Sequence, residues 1–290
     1  MVSLPSKWTK AVNLKKGDEI DIEESNGNLV ISKEARGVKK QTTVNLSGYI
    51  ESSIRVAITN AYRNGYDKIL VRFEDEKQYK ILKEILQSHI IGFDVTKKEK
   101  DSCVIENITE PSEEQFDVIL RKILYNISLL IKITEDRLRN KAQTDDYREV
   151  VMKIHQYDNF CRRVISKKGL GNQSHLLWSF LALIVHAQKE IYHLNEFLDT
   201  AGIRFRNFEY FENLKKIFAL LNEGYVKKDR ASLEKIYELV RKVIYKDFYE
   251  LIQKNQKENI ALYHITVAIR NFYLSTSPLI GLLLESNTSK

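Results

Sequence analysis

The residues best placed to do chemistry lie on one helical stretch, His186-Ala187-Gln188-Lys189-Glu190-Ile191-Tyr192-His193. His186, Glu190 and His193 fall at i, i+4 and i+7, and Glu196 extends the same stripe. Two imidazoles with carboxylates form a donor set for a divalent transition metal rather than magnesium. Without a metal, the stripe is a polar helix face carrying half-buried histidines. Asp145 and Glu149 form a second i, i+4 pair, but acidic side chains at a helix start already favour the dipole. Arg204-Phe205-Arg206-Asn207-Phe208 interleaves cations with aromatics, either as a platform for nucleic-acid bases or as the start of a core stripe. His155 and Cys161 share one helix, yet no serine or cysteine sits in a nucleophile-elbow or Cys–His signature. A non-enzymatic protein is therefore expected.

Composition narrows the setting. Of 290 residues, 43% are hydrophobic and 29% charged, the balance of a folded chain with a sizeable core. The formal net charge of +7 permits an anionic partner such as nucleic acid without demanding one, because 39 acidic residues are mixed among 46 basic ones. Two cysteines, far apart, fit neither a disulfide scaffold nor a zinc module and suit a reducing cytoplasm. The stretches around Leu176–Val185 and Leu279–Leu284 fall short of the roughly 18 residues needed to span a bilayer. No membrane insertion is expected.

The texture of the chain changes twice. Over residues 1–40, Asp18-Glu19-Ile20-Asp21-Ile22-Glu23 alternates with period two, and Asn26-Gly27-Asn28 turns it into Leu29-Val30-Ile31. That hairpin is too small to hide its own apolar face. Residues 41–110 read strand, helix, strand, helix, strand, strand, a small α/β layer. Beyond Pro111 the chain is helical to residue 290. Ser112 and Gln115 match a capping box, Asp145 opens a second helix, and a third runs from Ser174 to Gly202. A fourth follows Asn207, Asp229 caps a fifth reaching Lys254, and a sixth is kinked or ended at Pro278. Six antiparallel helices in two groups of three make a helical-bundle pattern, and the whole is mixed but mainly α.

Three segments carry a family resemblance: Ser3-Leu4-Pro5-Ser6-Lys7-Trp8, Leu14-Lys15-Lys16-Gly17-Asp18-Glu19-Ile20 and Gly27-Asn28-Leu29-Val30-Ile31. They resemble the AbrB/SpoVT swapped β-hairpin, a module that forms intertwined homodimers and often binds DNA. The chain begins inside that pattern, so the basic residues left for phosphate contact are Lys7, Lys10, Lys15 and Lys16. The alternative for these lysines is a solvated face on a dimerisation module. Tyr62-Arg63-Asn64-Gly65-Tyr66-Asp67 and Ile91-Gly92-Phe93 are similar to the connector of archaeal AbrB–PhoU proteins, and the helical part that follows resembles PhoU. The combined resemblance implies a cytoplasmic regulator of phosphate uptake that binds DNA, or an adaptor restraining a phosphate transporter or sensor kinase. It also implies acidic metal motifs on inner helices. Tyr263–Asn271 has no acidic pair, which confines any metal to His186, Glu190 and His193.

Overall fold

The computed structural model describes residues 3–25, 28–32, 39–109, 115–141, 145–168, 173–254 and 258–286. At the N-terminus, Pro5 sets up a short helix, α1 (Ser6–Ala11), its carbonyl accepting from the Trp8 and Thr9 amides at 3.0 Å. The turn after α1 is closed by the Lys15 amide, which donates to the Asp18 carboxylate at 2.9 Å. Strands β1 (Asp21–Ser25) and β2 (Asn28–Ser32) then pair antiparallel, with Ile22 opposite Ile31. Directly opposed residues share a face, so Ile22, Leu29 and Ile31 line one side of the hairpin. Ile22 is 54% exposed and Leu29 63%. The Asn26-Gly27 turn expected between the strands lies outside the described residues.

The α/β layer consists of β3 (Gln41–Asn45), α2 (Glu51–Arg63), β4 (Lys68–Arg72), α3 (Glu76–His89), β5 (Phe93–Lys98) and β6 (Ser102–Asn107). The sheet order is β3-β4-β6-β5, with β3 parallel to β4 and the other pairs antiparallel. A parallel pair needs a crossover, which α2 supplies. Ile69, Val71, Cys103 and Ile105 turn one face of the sheet toward Ile54, Ile58, Leu82 and Ile85 of the helices. Asp75 caps α3, accepting from the Gln78 amide at 2.8 Å. Gly92, at φ +78°, turns the chain into β5, and a Cβ there would lie 1.9 Å from the Thr109 carbonyl oxygen. Only glycine fits that turn.

The helical region opens with α4 (Phe116–Leu138), α5 (Tyr147–Lys168) and α6 (Ser174–Ala201), which pack on one another. Next come α7 (Phe208–Lys227), α8 (Arg230–Lys242), a π-helical stretch at Val243–Asp247, α9 (Phe248–Lys254), α10 (Asn259–Leu274) and α11 (Thr276–Ser286). Helices α7, α8 and α10 form a second mutually packed set, and α6 joins the two by packing against α10 and α11. One continuous apolar core runs through both sets, from Leu120 to Leu282. Helix α5 also packs against α2 and α3, tying the bundle to the α/β layer.

Two helix boundaries depart from the sequence reading. Asp229 does cap α8, accepting from the Ala231 and Ser232 amides at 3.0 and 3.1 Å. The helix it starts is interrupted at Val243–Asp247, where the backbone widens to a π turn. In the last helix the break falls at Ser275, before Pro278. There the Ser275 and Thr276 hydroxyls donate to the Phe272 and Tyr273 carbonyls, both at 2.7 Å, offering the backbone an alternative to the helical ladder. Pro278 sits in the first turn of α11, where its missing N–H costs little. Asn259–Leu284 is also long and apolar enough to cross a membrane by length and composition, which the shorter stretches read from the sequence missed. In the fold, α10 packs against α6, α7 and α8.

Candidate functional site

The N-terminal segment presents its charges plainly. Lys7 and Lys10 lie on α1, Lys15 and Lys16 in the turn that follows, and all four are exposed. None of their ammonium groups has a carboxylate partner among the described residues. Helix α1 has no acidic residue in its first turn and buries none of its side chains. Four unneutralised ammonium groups within ten residues form a set of point charges able to meet phosphate oxygens. The hairpin that follows them in the chain leaves Ile22 and Leu29 exposed.

The histidine stripe is arranged differently from its sequence spacing. Glu190 is bonded not to His186 but to His264 of α10, whose Nδ1 lies 2.9 Å from its carboxylate. His193 Nδ1 lies 3.0 Å from Glu196, and the His193 and His264 rings face each other with centroids 6.1 Å apart. His186, one turn earlier on the same helix, is exposed. The packing of α10 on α6 supplies the missing partner, one that spacing within a single helix does not reveal. Among the described residues, no group of three or more histidine, cysteine, aspartate or glutamate side chains is arranged to hold a metal ion.

The remaining candidates resolve into packing. Phe205 is buried and meets the half-buried Phe208 edge-on at 5.4 Å, so this aromatic run starts a core stripe, and Arg139 lies over the Phe208 ring. Cys161 is buried, and burial pushes its thiol well above the ordinary value, while burial lifts Cys103 to about 11. Neither is poised as a nucleophile. Asp145 and Glu149 are both exposed, and it is Asp146 that accepts from the Arg148 amide at 2.8 Å. Ser112 lies outside the described residues.

A buried polar junction between α5 and the α/β layer was not foreseen. Arg163 donates to the carbonyls of Tyr62 and Tyr66 at 3.1 and 2.8 Å and to the Asp67 carboxylate at 2.5 Å. Lys167 reaches the same carboxylate at 2.8 Å. Burial works against ionisation of Asp67, but the hydrogen bond and charge of Lys167, with the charge of Arg163, hold its pKa below the usual carboxylate value. One turn earlier, Asp158 takes Arg162 at 2.8 Å and Arg63 at 3.1 Å, while Arg63 also donates to Asn159 at 2.7 Å. Burial raises the Asp158 pKa and the two guanidiniums oppose that rise. Asn159 and Gln156 complete the junction by donating to the His89 and Ile90 carbonyls at the end of α3. Rings of His89 and His155 lie 6.1 Å apart there, and burial carries His155 down to about 3.

Residues 1–39 match the family model described as antidote-toxin recognition MazE, bacterial antitoxin. The N-terminal segment is thus MazE/AbrB-like, a kind of domain found in DNA-binding regulators. No curated protein and no solved structure matches the chain.

Proposed function

We propose that this protein is a cytoplasmic, non-enzymatic regulator that dimerises and binds DNA through residues 1–39 and responds to phosphate status through its helical region. The observation that carries the reading is the MazE-matching segment itself, where four lysines with no carboxylate partner among the described residues precede a hairpin face that bears the exposed Ile22 and Leu29. A second copy is the natural cover for that face, and a two-fold pair would present eight lysines to a duplex. The phosphate role rests on the likeness of the connector and helices to AbrB–PhoU proteins. Support for coupling comes from the junction of Arg63, Asp158, Arg163 and Asp67, which links the layer next to the DNA-binding segment to the bundle.

The lysines act on backbone phosphates, so affinity for duplex DNA falls steeply with salt, log K dropping by roughly 0.9 per log unit of salt for each phosphate neutralised. Replacing Lys7, Lys10, Lys15 and Lys16 with glutamine flattens that slope in proportion to the number of phosphates these lysines neutralise. A slope unchanged by the four substitutions removes these residues from the interface.

One observation favours a second reading, a protein–protein adaptor. A groove of about 920 Å³ runs between α4 and α7, lined by the apolar Ile131, Phe218 and Val226 and by the charged Lys132, Lys216 and Glu212. A transporter subunit or sensor kinase would dock there, with the hairpin serving only to dimerise. Absence of any salt-dependent DNA binding by the folded dimer selects this reading.

A further inference from the structure

The two edges of the four-stranded sheet are unlike. Strand β5 is protected in the usual ways: it carries Lys97 and Lys98, and its pairing with β6 is irregular between Val95 and Lys97. Strand β3, Gln41-Thr42-Thr43-Val44-Asn45, has no charge and no proline, and its register with β4 is unbroken. Main-chain groups along a strand alternate in direction. Lys40 and Leu46 direct theirs at β4: the Lys40 carbonyl accepts from the Asp67 and Lys68 amides, and the Leu46 amide donates to the Arg72 carbonyl. By parity Thr42 and Val44 also face β4, and the N–H and C=O groups of Gln41, Thr43 and Asn45 point outward. All three residues are exposed.

We propose that β3 is the second half of the dimer interface, pairing antiparallel with β3 of another copy about a two-fold axis at Thr43. This rests on the reading that the chain is a homodimer through its hairpin. In that register Thr43 faces its own copy and Gln41 faces Asn45, and every outward N–H and C=O of the three residues finds a partner. The facing side chains are uncharged, and a Thr–Thr pair across the axis is favourable. The same operation sets the two α2 helices side by side on the covered face of the joined sheet. There α2 and the turn before it carry bare apolar residues, with Ile50 70% and Val56 56% exposed. Residues 1–39 immediately precede β3 in the chain, so a dimer of the N-terminal segments tethers the two β3 strands to each other.

Residue-resolved hydrogen exchange on the full chain tests the pairing. The Gln41, Thr43 and Asn45 amides are expected to exchange as slowly as those of Thr42 and Val44, and to lose that protection on dilution to monomer. Thr43→Lys, which sets two ammonium groups opposite each other, raises the dimer dissociation constant roughly fivefold without unfolding an exposed position. Thr43→Cys becomes a disulfide-linked dimer on mild oxidation, both native cysteines being buried. Open exchange at the three amides in a dimeric protein, with no cross-link, leaves the edge to solvent and overturns the pairing while the hairpin dimer stands. A chain that stays monomeric at all concentrations overturns both.

Discussion

Asp158 holds the charge balance of the junction, and its removal leaves Arg63 and Arg162 without their shared carboxylate. Breaking a buried ion pair from one side costs about 3–5 kcal/mol, because the remaining charge keeps its desolvation penalty. Asp158→Ala is expected to lose stability on that scale in urea denaturation, whereas Glu234→Ala, an exposed partner of Arg230, changes it by less than about 1 kcal/mol. At this scale the sequence is legible where a residue acts alone. Lys7, Lys10, Lys15 and Lys16 are exposed as charged residues around a short helix should be. It is illegible where the partner comes from elsewhere in the chain: Glu190 meets His264, 74 residues away, and Arg63 meets Asp158, 95 residues away. Asp158, Arg162 and Arg163 interrupt an apolar helix stripe in the way a solvated face does, and the packing of α5 on α2, α3 and α6 makes them interior.

Periodicity marks most of the elements, because alternation and 3.6-residue stripes follow directly from burying one face. Periodicity does not mark the π turn at Val243–Asp247 or the break at Ser275, which depend on where hydroxyls and backbone carbonyls compete. The approach of α7 to α8 is likewise set by one small residue: a Cβ at Gly224 would lie 2.4 Å from Leu233 Cδ2. Gly224→Ala is expected to overpack that contact and cost about 1–3 kcal/mol, measured as a lowered Tm. The contact of α3 with α5 is predicted to be acid-sensitive. Burial, with the charges of His89, Lys189 and Arg63, lowers His155 from 6.5 to about 3, and burial with Arg55 and Arg63 lowers His89. Between those two values the unfolded chain binds more protons than the folded one, so stability rises with pH. The contribution of His155 is fully present above pH 6.5 and drains as pH falls toward 3, by about 1.4 kcal/mol for each pH unit in between. Urea midpoints at pH 7.5 and 5 should differ in that direction, and His155→Phe should narrow the gap; equal midpoints for the parent protein would refute the burial of a neutral His155.

At the scale of the whole molecule, the chain joins a MazE/AbrB-like segment to an α/β layer, and that layer to a helical body with one core. The polar junction of Arg63, Asp158, Arg163 and Asp67 ties the α/β layer to the helical body. A DNA-binding dimer is tested by recovering fragments of its own genome with the purified protein across a salt series. Enrichment of sites near phosphate-transport genes is expected, with occupancy falling steeply as salt rises. A folded, dimeric protein that enriches no fragment even at low salt would contradict the claim.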